Sequence, residues 1–194
     1  MSEFIFSVDA EAAAEVSTGT ASFGVIDTGV YEGTIKFASL DKTKNGNNTV
    51  TIKFVTEDGF EATIWSLCID PTWKSGAKNF DYAKFQQLAI ACGMKNGAVE
   101  PYDILNKDGG VVKTVNVFTE LTGKECTLAI QKELGYYKGE EQEKNKLHST
   151  YVNGDNKIEK VADRIKDLET KEYKAYKAGG GITVEEDDSG SLLD

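Results

Sequence analysis

The chain has 194 residues and a net charge of −10, enough length for one well-filled domain with appendages and too little for two large ones. A uniformly basic nucleic-acid binder is excluded, but the charge is segregated: residues 1–28 and 182–194 each carry five acids and no base. The body between them sets 22 acids against all 22 bases and is neutral, leaving room for a local basic stripe.

Residues 1–28 read as a small, Ala-rich acidic arm. Alternation of period two begins at Gly29, with Tyr31, Ile35 and Phe37 on the face of Gly33 and Glu32, Thr34 and Lys36 on the other. Gly33 inside this strand predicts a sharp bend or bulge. Asn45-Gly46 predicts a hairpin turn, and the return strand from Thr49 to Thr56 sets Val50, Ile52 and Phe54 against Thr51 and Lys53. After Glu57-Asp58-Gly59, a third strand alternates Phe60, Ala62 and Ile64 with Glu61, Thr63 and Trp65. Tyr31, Phe37, Phe54 and Phe60 are assigned to the core. A polar, aromatic loop over 70–78 leads to a helix capped by Asn79 and stopped at Gly93. Residues 94–113 read as a loop. A fourth strand spans Cys126 to Leu134 and a fifth runs near Lys146 to Val152. Ile158, Val161, Ile165 and Leu168 then fall at helical spacing, which predicts an amphipathic helix over 156–177.

Three strands in a meander, a helix and two further strands make a mainly β protein with the element order of a five-stranded OB-fold barrel. The domain occupies 29–152, the added helix 153–178, and a flexible acidic tail 179–194. That tail follows the Gly179-Gly180-Gly181 hinge and carries Glu185, Glu186, Asp187, Asp188 and Asp194 with an apolar tip, Leu192-Leu193. Such a segment has too little apolar area to offset its ordering entropy.

Gly29-x-Tyr31-x-Gly33, Thr43-Lys44-Asn45-Gly46-Asn47, Leu88-Ala89 with Gly93, Leu121-Thr122-Gly123-Lys124 and the terminal acidic tail, taken in this order, resemble bacteriophage single-stranded DNA-binding proteins of the OB-fold type. The resemblance covers roughly 29–152 and the tail. It implies a non-enzymatic protein of phage replication or recombination in the host cytoplasm, binding single-stranded DNA without sequence preference. The acidic tail would recruit a polymerase, helicase-primase, nuclease or recombinase and compete with DNA for the groove. The extra helix departs from simpler members, so a homodimer is left open.

Sequence-tolerant binding of a single strand needs cations along the phosphates and aromatic faces for unpaired bases. Alternation selects Lys36, Lys53 and Trp65, each opposite the apolar stripe of its strand. Trp73 with Lys74 and Lys78 in the loop after the third strand, Lys42 and Lys44 on the first hairpin, and Tyr136, Tyr137 and Lys138 between the last two strands complete the set. The competing structural reading packs Trp65 under a helix, folds one tyrosine onto the barrel, and leaves the hairpin lysines merely solvated. Arg164 is the only arginine, which suits backbone electrostatics rather than base-edge readout.

Other chemistries find little support. Cys68, Cys92 and Cys126 lie in apolar runs without metal-knuckle spacing and read as buried free thiols. His148 is the only histidine and reads as a surface or groove-edge residue, and no nucleophile elbow, phosphate loop, cofactor motif or membrane span is evident. From another class, a β-barrel module that assembles protein partners without nucleic acid fits the same elements. A carbohydrate-binding barrel is a third reading.

Overall fold

One eight-stranded sheet organises the chain in the computed structural model, which describes residues 24–72, 79–106 and 109–179. The elements are β1 (Gly29–Lys42), β2 (Asn48–Thr56), β3 (Glu61–Cys68), α1 (Phe80–Ala91), β4 (Val99–Leu105), β5 (Val111–Phe118), a 3-10 turn at Thr119–Leu121, β6 (Glu125–Tyr137), β7 (Glu140–Tyr151), α2 (Ile158–Ala162), β8 (Leu168–Glu169) and α3 (Lys171–Ala178). The strand order is β4-β5-β1-β2-β3-β7-β6-β8, and β1 pairs with β6 as well. Strands β1, β2, β3, β7 and β6 therefore run round in a barrel-like ring. The ring closes between β3 and β7 through one parallel bridge, Ile64 to Asn145.

β1 serves two neighbours. Gly29–Thr34 pair with β6, and Gly33–Lys42 pair with β2. The handover falls at Gly33, which lies opposite both Thr56 and Cys126. A Cβ there would meet the Val55 carbonyl oxygen and come within 2.7 Å of Phe54 Cζ and 2.8 Å of Thr56 Cα. Only glycine permits this approach, so the bend predicted at Gly33 is present.

Two residues later a β-bulge shifts the register between Ile35 and Phe37. The bulge moves Ala38 onto the inner face, where it is fully buried beside Ile35, and Phe37 is displaced from the core to which alternation had assigned it. Phe60 is also misassigned: it lies in the turn before β3 and is 62 % exposed. Tyr31 packs half-buried against the core, and Phe54 is fully enclosed by it. The core includes Ile35, Val50, Ile52, Ile64, Leu121, Leu128, Ile130 and Leu147, with Phe85 and Leu88 of α1 and Cys92 at its C-terminal cap. Cys68, Cys92 and Cys126 are free and buried, as the apolar runs around them imply.

α1 starts and stops as its sequence predicts. The Asn79 Oδ1 accepts the Asp81 N–H at 3.0 Å, while its Nδ2 donates to the carbonyls of Cys68 (3.0 Å) and Asp70 (2.7 Å), tying the helix to the end of β3. At the other end Gly93 takes φ +68, and the N–H groups of Gly93 and Met94 bond Ile90 O (3.1 Å) and Ala89 O (2.8 Å).

Two further expectations are corrected. Residues 94–113 are no loop: β4 and the start of β5 lie within them, paired as a hairpin that joins β1 at Ser39–Val117 and Leu40–Asn116. The helix predicted over 156–177 is broken into α2 and α3, and neither buries a residue. The apolar stripe has helical spacing, but the open edge of β6 captures the chain between the helices. Leu168 and Glu169 pair with Glu133 and Leu134, and Gln131 Nε2 donates to Lys166 O at 2.7 Å. Satisfying that strand edge overrides local helical preference. No helix among the described residues is long and apolar enough to cross a membrane.

Residues 24–28, the end of the predicted arm, lie against the ring. Asn145, buried beside the single β3–β7 bridge, lends its side-chain amide to Ile26 as a peptide group would. Its Oδ1 accepts the Ile26 N–H at 3.1 Å and its Nδ2 donates to Ile26 O at 2.8 Å. Lys132 pairs with Asp27 at 2.9 Å, and its N–H donates to Thr28 Oγ1 at 2.8 Å.

Candidate nucleic-acid interface

Residues opposite one another in a ladder share a face, so register decides which predicted site residues meet. Phe37, Lys53 and Thr63 form one row across β1, β2 and β3. Ser39 and Thr51 begin the next row, and Trp65, two residues beyond Thr63, faces the same way. Trp65 is 45 % exposed. The bulge places Lys36 with Phe37 opposite Lys53, and Lys36 is exposed. Three of the predicted residues, Lys36, Lys53 and Trp65, therefore stand on one outward face, joined by an aromatic ring that simple alternation had sent inward.

The electrostatics of this face are uneven. Lys53 Nζ lies 5.8 Å from the centre of the Phe37 ring, and burial pulls its ammonium below the ordinary lysine range, with Glu61 opposing the shift. Lys42 and Lys44 are exposed at the β1–β2 turn, which is closed by Gly46 N–H to Thr43 O at 2.8 Å. At the opposite end stand Glu57 and Asp58 of the β2–β3 turn and Glu61 at the start of β3. The cationic end and the aromatic surface suit an anion carrying planar rings, whereas the acidic end disfavours one.

Register adds two lysines that sequence reasoning missed. The bridge sets Asn145 beside Ile64, both buried, so Lys144 and Lys146 of β7 flank the face that holds Thr63 and Trp65. Lys146 also pairs with Glu133 at 3.7 Å. Their alternation with Asn145 and Leu147 was visible in the sequence, but the neighbour of β7 was not.

The predicted finger between the last two strands divides. Tyr137 is 60 % exposed at the tip, with Lys138 Nζ 5.5 Å from its ring centre and Lys138 itself at φ +52 in the turn. Tyr136 points to the other side and stacks on Tyr176 of α3, with ring centres 4.0 Å apart and planes 11° from parallel. Its face is taken by the protein. Trp73, Lys74 and Lys78 lie outside the described residues, as do Glu185, Glu186, Asp187, Asp188, Leu192, Leu193 and Asp194.

His148 sits on the exposed side of β7 with Nδ1 2.8 Å from Ser149 Oγ; burial, then Lys84, holds its pKa below the ordinary histidine value. Among the described residues no group of three or more His, Cys, Asp or Glu is arranged to hold a metal ion. No protein-family model matches the chain, and no curated protein matches it either.

Proposed function

We propose that this protein is a sequence-independent single-stranded DNA-binding protein. The observation that carries the reading is the half-exposed Trp65 on the same outward face as Phe37, Lys36 and Lys53. An indole left in water is poorly explained by stability, whereas a stacked base contributes roughly 1–3 kcal/mol. Lysines spread over β1, β2 and β7 can neutralise phosphates without reading base edges. The cyclic strand order, the parallel β3–β7 contact and α1 placed after β3 support reading the ring as an OB-fold barrel, whose outward β2–β3 face and two bounding loops form the usual groove. Those loops would be the Lys42–Lys44 turn and the Tyr137–Lys138 tip.

The acidic segment 182–194 fits a competitor for that groove when DNA is absent and a recruiting peptide for replication or recombination proteins when DNA fills it. Deleting 182–194 then tightens DNA binding and abolishes recruitment; unchanged or weaker DNA binding rejects the competition.

The test of the main reading is quenching of tryptophan fluorescence by an oligothymidine, reversed by salt and much weaker with duplex DNA. Absence of quenching by any single strand favours the protein-assembly module instead. Sugar-dependent quenching that ignores salt favours the carbohydrate reading.

A further inference from the structure

The β4–β5 hairpin is amphipathic in an unexpected sense. Pairing of Tyr102 with Val115 and of Ile104 with Lys113 places Tyr102, Ile104, Val115 and Val117 on one side. Pro101, Asp103, Thr114 and Asn116 occupy the other side and are exposed there. An ordinary surface hairpin turns its apolar side to the core. This one joins β1 with Val117 beside Ser39 and Asn116 beside Leu40. Ser39 belongs to the outward face with Phe37 and Lys53, whereas Leu40 packs against the core. The apolar side of the hairpin therefore continues the outward face that carries Trp65, and the ion pair between Lys113 Nζ and Asp41 Oδ2, at 3.9 Å, spans the join on that side.

We infer that the β4–β5 hairpin is a second half of the single-strand binding surface, with Tyr102 as its base-stacking platform and Lys113 as its phosphate contact. The inference rests on the single-strand reading above and extends it. At about 4.8 Å between strands, two extra strands widen the surface by roughly 10 Å beyond β1. One or two further nucleotides fit there. The occupant is the same strand, because the surface is continuous and because Lys113 reaches Asp41, the chain neighbour of Lys42, where β1 meets the hairpin. Glu100, beside Val117, and Asp41, paired with Lys113, are the carboxylates on this side that repel phosphate. Tyr102 is half-buried, and that burial raises the pKa of its hydroxyl.

The test is titration of an oligothymidine of about 16 nucleotides, long enough to cover one barrel surface, into the full chain and four variants. Tyr102→Ala is expected to weaken binding roughly 5- to 100-fold and Tyr102→Phe to retain it, since the ring and not the hydroxyl stacks. Glu100→Gln, a surface change that leaves the fold alone, is expected to tighten binding at low salt by roughly two- to fivefold. Trp65→Ala serves as the control for the central groove. If Trp65→Ala weakens binding while Tyr102→Ala and Glu100→Gln match the parent protein, the hairpin inference falls and the groove stands. If the parent protein binds no single strand, both fall together.

Discussion

Phe37 and Lys53 face each other across β1 and β2, with the ammonium of Lys53 5.8 Å from the ring centre, only because a bulge at Lys36 reverses the side on which Phe37 emerges. On the proposed single-strand reading, this cation and ring would take one phosphate and the base beside it. Phe37→Ala is expected to cost about 1–3 kcal/mol of single-strand affinity at any salt concentration. Lys53→Gln is expected to lower the slope of log affinity against log salt by about 0.7, the contribution of one neutralised phosphate. A salt-titrated isotherm measures both, and an unchanged slope for Lys53→Gln removes that lysine from the site.

Gly33 carries the handover of β1 between its two neighbours. Its missing Cβ is what lets β1 pass from β6 to β2 over Phe54 and Thr56. Gly33→Ala forces backbone and core apart and is expected to destabilise the fold by about 3 kcal/mol, measured by urea unfolding. Stability equal to the parent protein refutes the close approach.

The last helix is held by little besides rings. Tyr136 stacks on Tyr176, Lys177 Nζ lies 5.6 Å over the Tyr173 ring and bonds Glu169 Oε1 at 2.9 Å, and no residue of α3 is buried. Tyr176→Ala removes a stack of about 0.5–1.5 kcal/mol. Residues 171–179 should then exchange amide protons faster while the ring strands keep their protection. Equal exchange throughout contradicts a helix docked by that stack.

Glu120 supplies a pH dependence with a definite sign. Its carboxylate accepts the N–H groups of Lys95 (2.7 Å) and Asn96 (3.0 Å), and those bonds hold its pKa below the ordinary glutamate value. The stabilisation is present above the unfolded-state pKa and disappears as pH falls through the lower folded-state pKa. Glu120→Gln should therefore flatten the acid limb of a stability–pH curve and leave the alkaline limb unchanged. Parallel curves for the two proteins dispose of the clamp.

The parts legible from sequence were those decided within a few residues. Asn79 caps α1 because its amide reaches a neighbouring N–H, and Gly93 ends it because its own φ is positive. Asn45-Gly46 turns the first hairpin, and alternation from Thr49 to Thr56 shows which side of β2 is buried. Lys53 and Trp65 were found by that same parity.

What failed depended on partners distant in the chain. One bulged residue moved Phe37 from core to surface, because period two carries no memory of an insertion. Val99 to Phe118 alternate too weakly to declare a hairpin, and only the edge of β1 at Ser39 and Leu40 recruits them to the sheet. Helical spacing at 156–177 yielded to an unpaired length of β6.

By itself the chain therefore determined a neutral body between acidic ends, a three-stranded meander, one capped helix and the outward cations of β1 and β2. The tertiary structure alone decided which aromatic rings share that face, that β7 brings lysines to its margin and that the β4–β5 hairpin extends the sheet beyond β1. Turns and caps answer to the dihedral preferences of adjacent residues, whereas strand neighbours are chosen by edges whose hydrogen-bonding groups must find partners far along the chain.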